Sequence, residues 1–264
     1  MSVSLRIGII GGGGWLGGAI AGSILDSGLV NPENLGLSYR NEQPRRFPNS
    51  FWTTDNQALA DRSDVILLSV RPDDWRPLEV DASGRLVISV MAGIRLAALS
   101  ERHKTGRVVR ALPNAAAEVG KSYTPWIGAN DVTRDDRSVV RAIFGTCGIE
   151  DEVASESDID YLTGLSGSGP AFPAMLAAAM MRDAVARGLP AEVARRAVNT
   201  VISGAGRLLE RGNECPDDVV QTFLDYRGTT AAAIEGMRTA GFDAAVAEGL
   251  SSAFKKSVSM GAAS

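Results

Sequence analysis

The residues whose spacing most plainly does chemistry are glycines. Gly12-Gly13-Gly14-Trp15-Leu16-Gly17 spells G-x-G-x-x-G between a short apolar run at 6–10 and a helically spaced segment at 15–25. In that pattern the first glycine permits a tight turn, the second lets backbone approach a pyrophosphate, and the third lets a helix pack closely on a strand. The helix N-terminus then offers unpaired N–H groups and the positive end of its dipole to an anion. The competing reading is a glycine-rich surface turn; the strand before it and the helix after it favour dinucleotide binding. The run Gly11 to Gly14 leaves the register open by one residue.

A second constellation sits at the end of the next strand. A fold that prefers NAD usually carries Asp or Glu there, to accept hydrogen bonds from the adenosine ribose. This chain has Ser38-Tyr39-Arg40-Asn41, with Arg45 and Arg46 nearby. Serine and arginine can hold a 2′-phosphate instead, so NADPH is the expected cofactor and NADH the alternative. The bland reading of these arginines is a solvated loop.

Other chemistries are excluded by what is missing. His103 is the single histidine among 264 residues, so a site built from several imidazoles is ruled out and no metal is expected. Cys147 and Cys215 stand apart, without metal-ligand or disulfide-framework spacing, and read as small packing residues suited to a reducing cytoplasm. The net charge of −4 gives nucleic acid no general electrostatic grip, so Trp52, Trp75 and Trp126 read as packing or surface aromatics. His103, flanked by Arg102 and Lys104, reads as a solvated helix end. The apolar N-terminal stretch is broken by glycines and lacks a cleavage site, and the run at 171–181 is shorter than the roughly 20 residues a membrane helix needs. A soluble protein with no membrane partner is expected.

These groups must be positioned by an alternating scaffold. Strand-like runs at 6–10, 35–39, 65–70, 86–90, 108–112, 123–127 and 149–153 leave room for crossover helices, which predicts a doubly wound, parallel α/β sheet over residues 1–155. Residues 156–264 carry no strand signal. Glycine and proline punctuate them into helices at 170–187, from 190 to Gly212, 217–224, 229–240 and 243–259, with a loop at 225–228. Val193, Ala197, Val201, Ala205 and Leu208 share one face of the second of these. Such an all-helical part either folds against the sheet or shares its core with a second copy as a dimerisation domain.

Several segments, in order and over nearly the whole chain, resemble the pyrroline-5-carboxylate reductase family: Ile9 to Ile20 around the glycine turn, Val65 to Pro72, Ser89 to Ile94, Arg110-Ala111-Leu112-Pro113-Asn114, Leu165 to Phe172 and Gly228-Thr229-Thr230. The resemblance implies an N-terminal Rossmann domain, a helical domain that interlocks with its twin, and NAD(P)H-dependent reduction of a cyclic imine, 1-pyrroline-5-carboxylate, to proline. The assembly implied is a homodimer or a higher oligomer of dimers. It further implies that Val70, Pro72, Met91, Ala92 and Pro113 line the cofactor's nicotinamide side, that Arg71, Gly93 and Asn114 also belong to the cofactor site, and that Asn56 contacts its adenosine portion. Ser168, Gly169 and Pro170, with Asp225, Arg227, Gly228 and Thr229, are the corresponding substrate-side residues.

Imine reduction fits a chain with one histidine. A protonated imine enters already electrophilic, so placing its carbon near the nicotinamide matters more than acid catalysis. The Thr230 hydroxyl is the expected catalytic group, bonding the nitrogen and helping to pass a proton; the competing role is to satisfy backbone at a helix start. The β-hydroxyacid dehydrogenases share the glycine turn but use a lysine, and no lysine lies between residues 122 and 254. A dimeric NADPH-binding sensor without catalysis is the reading of another class. Two departures from the family stand out. Asp225-Tyr226-Arg227-Gly228 replaces a Ser-Pro-Gly-Gly segment whose serine helps hold the substrate carboxylate, and Ala178 replaces a common glutamate. Either compensated divergence or a different cyclic imine would account for them.

Overall fold

The computed structural model describes residues 5–211 and 214–262. It divides into two compact units, one holding the chain up to Ser168 together with the segment from Ser252 onward, the other Gly169–Ser251.

The first unit is built on an eight-stranded sheet of order β3-β2-β1-β4-β5-β6-β7-β8. Its strands are β1 (Ile7–Ile10), β2 (Leu35–Ser38), β3 (Phe51–Thr53), β4 (Val65–Leu68), β5 (Leu86–Ser89), β6 (Val108–Ala111), β7 (Ser122–Gly128) and β8 (Gly148–Glu152). β1 to β6 run parallel in the doubly wound order, with Ile7 beside both Leu35 and Val65. The parallel sheet has one reversal, at an edge: β7 is antiparallel to β6, Ala111 facing Trp126, and β8 runs parallel to β7.

The central strands are continuous buried runs because helices cover both faces. Alternate side chains feed two cores. Ile9, Leu67 and Ile88 pack with Ile20 and Ile24 of α1 (Trp15–Asp26) and Phe144 of α5 (Arg134–Gly145). Ile10, Ile66, Leu68 and Val87 pack with Leu59 of α2 (Asn56–Asp61), Trp75 of α3 (Pro72–Trp75) and Leu99 of α4 (Leu96–His103). α5 and α6 (Glu156–Leu162) begin with reciprocal capping boxes, Thr133 with Asp136 and Ser155 with Asp158. A buried ion network ties α6 to the sheet: Arg110 on β6 meets Glu156 at 2.7 Å and Asp160 at 3.0 Å, and Asp160 also meets Arg95 at 2.8 Å. Ser257, near the C-terminus, donates to the same carboxylate at 3.3 Å.

The second unit contains α7 (Ala171–Ala186), α8 (Ala191–Arg211), α9 (Pro216–Asp225), α10 (Thr229–Thr239) and the first part of α11 (Phe242–Ala262). α7 packs on α8 and α9 on α10. The expected stop of α8 at Gly212 lies outside the described residues. Within this unit the buried described apolar residues are Ala194, Val198 and Ala231, while Met175 (71%), Val201 (54%) and Leu208 (60%) are exposed. The face of α8 marked by Val193, Val201 and Leu208 is therefore open in the single chain.

Candidate active site

The glycine turn is built by close approach. Gly11 takes φ +85°, and a Cβ there would lie 2.4 Å from the Ser69 carbonyl oxygen. A Cβ on Gly12 would meet Leu37 Cδ2 at 2.5 Å, and one on Gly17 would meet the Gly11 carbonyl oxygen at 2.6 Å. The left-handed turn thus belongs to Gly11, one residue before the pattern's first glycine, and Gly17 performs the helix-packing role. Gly14 is the N-cap of α1 and supplies no side chain, so the N–H groups of the first turn, Trp15 to Gly17, keep no side-chain cap. Ser38 is fastened to this turn twice: its Oγ accepts from Gly11 N–H at 3.0 Å and its carbonyl from Gly13 N–H at 3.0 Å.

A cleft of about 440 Å³ opens beside the turn. Of the expected cofactor residues, Gly14, Ser38, Arg40, Asn56, Val70 and Arg71 line it. Tyr39, Asn41, Glu42, Ser69, Asp74 and Leu78 line it too; Asp74 and Leu78 lie outside every segment that the sequence pattern marks. Asn56 opens α2, and its buried Oδ1 has no hydrogen-bond partner. An orphaned amide oxygen costs about 1–3 kcal/mol until a ligand donates to it, which suits the N–H or O–H groups of an adenosine. The uncapped helix start, the side-chain-free turn and this acceptor together fit a dinucleotide. Arg46 turns elsewhere, its Nη2 bonding the Gly18 carbonyl at 3.3 Å.

The other expected cofactor residues follow the C-terminal ends of neighbouring strands, the edge at which open α/β sheets bind ligands. Val70, Arg71 and Pro72 follow β4; Met91, Ala92 and Gly93 follow β5; Pro113 and Asn114 follow β6. Gly93 takes φ +80° where a Cβ would meet Met260 Cβ at 2.7 Å, a packing role against the end of α11. Asn114 spends both ends of its amide on protein: Nδ2 donates to the Ser166 carbonyl at 3.0 Å and Oδ1 accepts from Ala116 N–H at 2.9 Å. It thereby anchors the π-helical segment Thr163–Gly167, and Ser168 Oγ donates to the Thr163 carbonyl at 3.3 Å.

In the second unit, Gly169 accepts from Phe172 N–H at 3.1 Å and Pro170 is the N-cap of α7. Asp225 ends α9 and takes the Gln221 amide at 2.8 Å, which holds its carboxylate against its own helix. Arg227 adopts φ +49°, a left-handed conformation that glycine favours, at a position where the family pattern has glycine. Gly228 caps α10, and Thr229 and Thr230 are its first two residues. All of these from Asp225 on are exposed, and the Thr230 hydroxyl has no hydrogen-bond partner among the described residues.

Two expectations outside the site are corrected. His103 is fully buried rather than solvated: Trp75 Nε1 donates to its Nε2 at 2.9 Å, and its Nδ1 bonds the Val80 carbonyl at 3.0 Å. Burial, with Arg102 nearby, pushes its pKa below the ordinary imidazole value. Cys147 is buried as expected, its thiol pushed up by burial, but Cys215 is exposed.

Comparison with known proteins agrees with this architecture. Residues 156–260 match the family described as pyrroline-5-carboxylate reductase dimerisation, and residues 6–93 the family described as NADP oxidoreductase, coenzyme F420-dependent. A pyrroline-5-carboxylate reductase of Synechocystis is 31% identical, over 98% of this chain and 99% of its own length. One from Methanosarcina acetivorans is 32% identical, over 97% of this chain and 98% of its own. The crystal structure of a Plasmodium falciparum pyrroline carboxylate reductase with NADP bound superposes with a TM-score of 0.83 at 25% identity, covering 97% of this chain and 98% of that one. With identity above 30% sustained from end to end, the chain belongs to the pyrroline-5-carboxylate reductase family.

Proposed function

We infer that the protein reduces 1-pyrroline-5-carboxylate to proline with NADPH. The observation that carries this reading is the full-length similarity to reductases of that name in a chain whose glycine turn opens onto a cleft with an unpartnered acceptor. When bound, NADPH supplies the hydride. The first turn of α1 and the side-chain-free glycine turn receive the pyrophosphate, Asn56 the adenosine portion and Arg40 the 2′-phosphate, while Ser38 keeps the turn in shape. Val70, Pro72, Met91, Ala92 and Pro113 border the nicotinamide half and exclude water from it. Orientation of this kind supplies up to about 7–11 kcal/mol of barrier reduction.

Thr230, whose hydroxyl is uncommitted, hydrogen-bonds the nitrogen of the protonated imine and, once that nitrogen has become a neutral amine, relays a proton to it while regaining its own from water. Ser168, Gly169, Pro170, Gly228 and Thr229 shape the substrate side, and Arg227 offsets Asp225, whose carboxylate already accepts from Gln221. Residues 1–155 form the cofactor domain and 156–264 the dimerisation and substrate domain of a cytoplasmic homodimer, itself a unit from which a higher oligomer can be built. The exposed apolar face of α8 and the dimerisation match support the homodimer. Replacing Thr230 by Ala tests the catalytic assignment: kcat should fall about 10–100-fold while the NADPH Kd, read by fluorescence titration, stays unchanged. An unaltered kcat would remove Thr230 from the chemistry.

A further inference from the structure

The cleft holds an ion pair that the glycine pattern gives no hint of. Arg40, just beyond β2, meets Asp74 of α3, just beyond β4, with Nη2 2.7 Å from Oδ1. β2 and β4 flank β1 in the sheet, so the pair reaches over the end of the strand that carries the glycine turn. Both residues line the same cleft, together with Glu42, Arg71 and the unpartnered Asn56. The guanidinium expected to hold a 2′-phosphate is therefore already held by a carboxylate.

We propose that Asp74 sets the cofactor preference of this protein: it holds Arg40 across the cleft, and a 2′-phosphate binds only by taking Arg40 in its place. This rests on the reading of the cleft as the NADP site. The exchange is physically easy. The Arg40 side chain is 70% exposed, and such an exposed pair is weak and screened by salt. A phosphate dianion offers guanidinium shorter, bidentate, charge-assisted bonds. Once Arg40 has turned to the phosphate, Asp74 remains in the cleft as an unpaired like charge that opposes it. NADH lacks the phosphate and does not compete for Arg40, so the pair acts on NADPH alone.

The test is direct binding of NADPH and NADH to the full-length protein and to Asp74→Asn, Arg40→Ala and the double variant, at low and moderate ionic strength, with thermal melts verifying folding. Asp74→Asn should tighten NADPH about fivefold at low salt and less at higher salt, and leave NADH unchanged. Arg40→Ala should weaken NADPH selectively, and most of the gain from Asp74→Asn should vanish in that background. An unchanged NADPH Kd in Asp74→Asn, or a selective loss of NADH that would make Asp74 a ribose ligand, overturns the proposal and leaves the site reading intact. Failure of the unaltered protein to bind either nucleotide overturns both.

Discussion

His103 shows how far a residue's role can lie from its sequence neighbourhood. Flanked by Arg102 and Lys104, it has the setting of a surface cation, yet α4 turns it inward beneath Trp75. Because the indole N–H can only donate, Nε2 is the acceptor and Nδ1 carries the proton given to Val80. Protonation would remove the Trp75 bond and place a cation in the core, which is why burial lowers the pKa. The unfolded chain therefore binds the proton first, and stability is complete above about pH 7 and falls as pH drops below about 6.5 toward the lowered folded value. Tm should fall between about pH 7.5 and 5.5, and His103→Asn, though less stable overall, should show a flatter profile. At this scale the cleft lining supplied by Gly14, Ser38, Arg40 and Asn56 was legible from spacing or resemblance. Asp74 and Leu78 were not, because a place on a cleft rim is set by strand order rather than by local pattern.

Elements were legible where burial leaves a pattern. The runs of β1, β4 and β5 are apolar throughout because both faces are covered, and Pro and Gly bracket the C-terminal helices. β3 is three half-buried residues with no such run and escaped notice; the reversal of β7 escaped too, since strand direction leaves no periodicity. Arg110 sits in β6, itself an apolar-looking strand, and its role appears only once α6 is folded onto it. With Asp160 almost wholly buried, Arg110→Leu would leave that carboxylate with Arg95 as its one remaining cation among the described residues, at a cost of about 3–5 kcal/mol in urea unfolding. The Arg110→Leu, Asp160→Leu double variant should recover part of the loss, because the stranded charge goes with it.

At the scale of the whole molecule, the apolar residues of α8 divide between the chain's own core and an open surface. Ala194 and Val198 form its buried seam within the chain, and Val193, Val201 and Leu208 form a second seam left open. Periodicity registers both as apolar without saying which belongs to another copy. A unit burying so little on its own needs a partner to complete its core. The Val201→Asp, Leu208→Asp double variant should shift the species seen by light scattering from dimer to monomer, with loss of turnover; a dimer that persists would place the interface elsewhere. The most direct measurement on the unaltered protein is simultaneous quantitation of NADPH consumed and proline formed from 1-pyrroline-5-carboxylate. One proline per NADPH, with a kcat/KM of about 10⁴ M⁻¹s⁻¹ or above, is the predicted result. NADPH bound but no proline formed, or turnover confined to cyclic imines without the carboxylate, would contradict it.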